Sequence, residues 1–85
     1  MESSSKRRVK LQGVKRVRIT GDFIRLDALL KFASVAATGG EAKMLIQSGM
    51  VFVGGSPCMQ RGRKIKPGEI VIYRQGSVVQ CLMVC

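Results

Sequence analysis

At Gly49 the apolar spacing of this chain changes period, and that switch limits the possible folds more than any other feature. Before it, Leu26, Leu29, Leu30 and Ala33, flanked by Phe32 and Ala36, recur at i, i+3, i+4 and i+7, the stripe of an amphipathic helix. Ala42, Leu45 and Ile46 form a second such stripe. After Gly49, Val51 and Val53 alternate with Met50 and Phe52, which is the period of a strand. The spacing predicts one helix over 26–36 and another over 39–48. Thr38-Gly39-Gly40-Glu41 supplies a capping box for the second, with the Thr38 hydroxyl accepting from the Glu41 amide and Glu41 reaching back to the Thr38 amide. Gly49 stands where a left-handed C-terminal cap requires a residue without Cβ.

The rest of the chain reads as short strands and turns. Gly54-Gly55 is a two-residue hairpin signal because both positions accept positive φ. The chain returns through Ser56 to Met59, crosses a basic run from Gln60 to Lys66, and turns at Pro67-Gly68. Strands are expected over 69–73 and 78–84, with a turn at Gln75-Gly76. Ahead of the helices, Arg16 to Thr20 alternates polar and apolar, so a short strand opens the domain and ends at Gly21-Asp22. The order predicts an α+β fold in which two adjacent helices pack on a small, mainly antiparallel sheet of three to five strands. Residues 1–16 read as a basic flexible N-terminal arm and 17–85 as a single domain. A chain of 85 residues buries only about 60% of its unfolded surface, which excludes a large enzyme core with a deep cleft.

Fifteen Lys and Arg against five Asp and Glu give a formal charge of +10, a self-repulsion that a polyanionic partner relieves. Nucleic acid is the first expectation, and an anionic membrane the second. With no histidine, neither a Ser/His/Asp triad nor a Cys/His pair can be built, and no enzyme activity is expected. Cys58, Cys81 and Cys85 lack a fourth ligand for zinc, so they are expected as buried thiols, with no metal and no cofactor. Their odd number, without the apolar stretch of a secretory signal, points to a reducing, cytoplasmic setting. The start from Ser3 to Arg8 also has the composition of an organellar transit peptide, but no amphipathic pattern continues it. Asp22 and Asp27 read as a turn residue and a helix-start charge rather than a catalytic pair.

Three segments in order carry a resemblance: Ile24-Arg25-Leu26-Asp27-Ala28-Leu29-Leu30, then Glu41 through Val53, then Lys66-Pro67-Gly68-Glu69-Ile70-Val71. Together they resemble the S4-type RNA-binding domain, the αL motif, over residues 19–73. Within that family the chain looks most like the stand-alone YaaA/YbcJ-like group. The sequence departs from the family pattern at Gly54, where an Asn is usual, at Glu69, where an Asp is usual, and at Gly39, where a basic RNA contact is usual.

The resemblance implies a non-enzymatic module recognising structured RNA, rRNA or tRNA, through a basic surface, in translation or ribosome assembly. Candidate RNA-binding residues are Arg25, Lys31, Gly39, Gly40, Lys43, Gln47, Arg61, Arg63, Lys64 and Lys66. Arg61, Arg63, Lys64 and Lys66 suit a phosphate track, although a solvated hairpin loop would have the same composition. Gly39 and Gly40 leave the second helix's N-terminus open to a phosphate, or make a tight interhelical turn. Lys43 and Gln47 share a helical face. Arg25 either reaches RNA or pairs with Asp27 or Glu41. Only Phe23, Phe32, Phe52 and Tyr73 could stack on bases and Phe32 is expected in the core, so RNA shape is favoured over single strands. Phe52, out of phase with Val51 and Val53, is expected on the sheet's other face, as a covered or partly exposed apolar residue or as a base-stacking or protein contact. The alternatives are a protein–protein adaptor docking on a ribosomal or RNA-modifying assembly, and a DNA-binding module. A monomer is expected, with no membrane partner and no small-molecule substrate.

Overall fold

In the computed structural model, which describes residues 10–85, the chain runs β1 (Lys10–Val17), β2 (Ile24–Arg25), α1 (Leu26–Phe32), α2 (Gly39–Gln47), β3 (Val51–Val53), β4 (Ser56–Pro57), β5 (Lys64–Ile65), β6 (Ile70–Gln75) and β7 (Val78–Val84). Five strands form one mixed sheet in the order β1-β7-β6-β3-β4, and β2 pairs with β5 in a separate two-stranded ladder. All pairings in the larger sheet are antiparallel except that of β1 with β7, which is parallel. The α+β architecture expected from the period switch is the one found.

The core lies between the helices and one face of the larger sheet. Leu26, Leu29 and Leu30 of α1 and Ala42 and Ile46 of α2 share a buried cluster with Val17, Val51, Val53, Val71, Leu82 and Val84. Burying each of the larger of these side chains contributes about 1.5–3 kcal/mol. The strand alternation places Phe52, Ile72, Val79, Cys81 and Met83 on the opposite face, where they are half-buried. At the β3–β4 hairpin Gly54 and Gly55 take φ of +61° and +87°, the pair of left-handed residues that a type I′ turn requires. Gly49, at φ +81°, ends α2 as its position suggested.

Several expectations are corrected. Helix α1 stops at Phe32 rather than at residue 36. Ser34 adopts φ +64°, its amide donates to the Lys31 carbonyl at 3.0 Å, and the Val35 amide donates to the Leu30 carbonyl at 2.8 Å. This is a Schellman closure with serine in the left-handed position usually held by glycine. The early stop leaves Phe32 exposed rather than in the core. In the capping box, the Glu41 amide donates to Thr38 Oγ1 at 3.1 Å as expected, but the Glu41 carboxylate accepts from the Ala37 amide rather than from that of Thr38.

The opening strand is β1, which takes residues 10–16 of the expected flexible arm into the sheet and leaves Arg18 to Thr20 outside it. Lys15, expected in solvent, donates from Nζ to the Ala33 carbonyl at 3.0 Å, a cation at the C-terminal end of α1 where the helix dipole favours it. The remainder of the arm, with its transit-like composition, lies outside the described residues. Of the three thiols, Cys58 is buried, Cys81 is half-buried on the outer sheet face, and Cys85 is exposed because β7 ends at Val84.

Candidate nucleic-acid interface

The first turn of α1 begins without a side-chain cap from Arg25. Its free amides are instead taken by the basic loop that precedes β5: the Leu26 amide donates to the Arg63 carbonyl at 2.8 Å and the Asp27 amide to the Arg61 carbonyl at 3.0 Å. The β2–β5 ladder, with Ile24 opposite Ile65 and Arg25 opposite Lys64, holds the loop in that register. Ile65 is fully buried and anchors it.

Asp27 is the centre of this arrangement. Its carboxylate is nearly enclosed, with the residue only 8% exposed. Asp27 Oδ1 accepts from the Ala28 amide at 2.8 Å, while Oδ2 accepts from Arg61 Nε at 3.2 Å and from Arg25 Nη2 at 3.4 Å. Two guanidiniums thus converge on one carboxylate, leaving a net positive site. Of the two roles open to Arg25, the pairing with Asp27 is present, and its side chain is still more than half exposed. The sequence shows half of this arrangement: the Arg-x-Asp spacing signals a local pair, but nothing local signals Arg61.

Arg25, Asp27, Ala28, Lys31, Gly39 and Arg61 line one shallow depression. A Cβ on Gly39 would lie 3.9 Å from Arg61 Nη2, so the Arg61 guanidinium reaches the start of α2, beside the position where the family usually carries a basic residue. Arg25, Lys31, Gly39 and Arg61, chosen separately along the sequence, therefore meet in space. A phosphate in this depression would find three cations and the N-terminal end of α2.

Other candidates point elsewhere. Arg63 Nη2 bonds Glu69 Oε2 at 3.3 Å, and Glu69 Oε1 accepts from the Lys66 amide at 2.7 Å, so Arg63 helps to close the Lys66–Glu69 turn. Lys64 places its ammonium over the Phe23 ring, 4.9 Å from the centroid. Lys66, Gly40, Lys43 and Gln47 are exposed, and none of them lines the depression. Among the described residues no helix is long and apolar enough to cross a membrane.

An S4 domain family model matches residues 17–80. The chain is also similar to a probable ribosome maturation protein, RlbA, of Bacillus subtilis (strain 168). The two are 36% identical over 55 residues, which is 65% of this chain and 78% of the relative.

Proposed function

This chain belongs to the S4-domain family, and from that premise we propose that it is a non-enzymatic, monomeric RNA-binding module acting on structured rRNA or tRNA during ribosome maturation in the cytoplasm. The observation that carries the reading is the convergence of Arg25, Lys31 and Arg61 beside the α2 N-terminus. Asp27 fixes both arginines without neutralising the site, so donors are held in place before any phosphate arrives. Such a surface reads backbone geometry rather than base identity, which suits an A-form stem or junction. Lys43, Lys64 and Lys66 extend the positive field around this centre, and Gln47, on the helical face of Lys43, adds a neutral hydrogen-bonding group.

The test is recovery of crosslinked RNA from cells, then titration of the recovered fragment across a salt series with wild type and the Lys31→Ala variant. Lys31 is exposed, so its loss should lower affinity and reduce the salt slope by about one without unfolding the domain. Undetectable affinity at low salt would refute the reading. The half-buried sheet face around Phe52, Ile72 and Met83, over which no helix of the described residues packs, favours a second reading, docking on a protein of the same assembly. Substituting Ile72 by Glu would then abolish partner binding and leave RNA affinity intact.

A further inference from the structure

The exposed side of α1 joins two different surfaces. Ala28 and Phe32, one turn apart, lie on the same side of the helix, with Lys31 next to Phe32. Ala28 and Lys31 line the basic depression, whereas Phe32 walls a neighbouring cleft with Phe23, Ile19, Ile24 and Arg18. The cleft has a volume of about 420 Å³, within the roughly 300–1,000 Å³ range of small-ligand sites. Phe32 is 65% exposed and Phe23 43% exposed, so two rings in one cleft are left open to water. Neither is needed to fill the core.

The cations around these rings define the occupant. Arg18 lines the cleft itself, and the Lys64 ammonium sits over Phe23 while its backbone pairs with that of Arg25 in the basic depression. An occupant must combine a flat apolar ring with negative charge on either side and must be continuous with what lies in the depression. We propose that this cleft receives one unpaired base, extruded from the structured RNA held by Arg25, Lys31 and Arg61, and stacks it against Phe32, with Arg18 and Lys64 on the flanking phosphates. This rests on the RNA-binding reading above and narrows it to stems that carry a bulged or junction nucleotide. Paired bases in A-form RNA are hidden within the stack, whereas a bulged base swings out at little cost. Stacking on an aromatic side chain tightens binding on the order of tenfold per base and accepts any base, because each has a π face.

The experiment compares two RNA hairpins, one fully paired and one with a single bulged 2-aminopurine, against wild type, Phe32→Ala and Phe32→Tyr. Wild type should bind the bulged stem about tenfold more tightly and quench the 2-aminopurine fluorescence. Phe32→Ala should bind the paired stem as wild type does while losing both the preference and the quench, and Phe32→Tyr should keep both. Equal affinity of wild type for the two stems without quenching, or a preference that survives in Phe32→Ala, would overturn the cleft assignment and leave the RNA-binding reading standing. Failure of wild type to bind either stem at low salt would overturn both.

Discussion

Asp27 and Arg61 hold each other through two bonds of opposite sense: the Asp27 amide donates to the Arg61 carbonyl at 3.0 Å, and Arg61 Nε donates to Asp27 Oδ2 at 3.2 Å. The residues are 34 apart in the chain, so this pair fastens the basic loop to the start of α1. The same contacts that finish the helix therefore also aim the cation at the α2 N-terminus.

Replacing Asp27 by Asn keeps an oxygen for the Ala28 amide and removes the charge that holds the two arginines. Because both guanidiniums are partly exposed, the expected loss is about 1 kcal/mol of stability, read from urea unfolding. In that background Arg61→Ala should cost less stability than it does in wild type. Additive losses in the double-mutant cycle would mean the pair is not coupled.

Arg61 and Arg63 should separate in RNA titrations. Arg61→Ala removes a cation from the depression and should lower affinity with a salt slope reduced by about one. Arg63→Ala, whose side chain is committed to Glu69, should change the slope less and act mainly on stability. Equal slopes for the two variants would contradict this division.

Ser34→Gly should stabilise the domain. Serine at φ +64° carries the left-handed penalty of an L residue, and its side chain is exposed, so glycine relieves strain without losing packing. A gain of about 0.5–1 kcal/mol is expected as a higher urea midpoint at unchanged m-value.

Tyr73 gives a pH-dependent signal. Burial, and then the charge of Glu41, hold its phenol above the ordinary value of 10.0. The unfolded chain ionises near 10.0 while the folded one does not, so Tyr73's contribution to stability is fully present below pH 10.0 and is lost as pH rises through the folded value. The chain has one tyrosine and no tryptophan, so phenolate absorbance follows this group alone. Native protein should titrate above the urea-unfolded protein, and Tyr73→Phe should lessen the alkaline loss of stability.

The parts of the fold legible in the sequence are those set by local spacing: the helical stripes, the Gly49 stop and the Gly54-Gly55 turn. What escaped depends on contacts between distant segments or on residues outside their usual places. Ser34 closes α1 in a position where glycine is the signal, so the spacing alone places Phe32 in a core it does not enter. The alternation of β1 is broken at Gly13 and again at Lys15-Arg16, and its parallel partner lies at the other end of the described chain. For the interface, Arg25, Lys31, Gly39 and Arg61 stand out singly along the sequence, and it is the fold that brings them to one depression. The same reasoning could not tell that Arg63 would turn to Glu69, because alternate residues of an irregular loop carry no fixed facing.

The parallel pairing of Lys10–Val17 with Val78–Val84 also sets an order of events during synthesis. Among the described residues β1 is made before every other strand, and its one partner there is β7, the last of them. The α1–α2 pair and the β3–β4 and β6–β7 hairpins close through short loops and can assemble early, whereas docking β1 requires the longest loop closure in the fold. Until β7 exists, Lys15 has no sheet from which to reach the end of α1. The nascent chain thus carries Lys10, Lys15 and Arg16 on an unpaired strand until β7 has been made, and completing the sheet is the step that docks it.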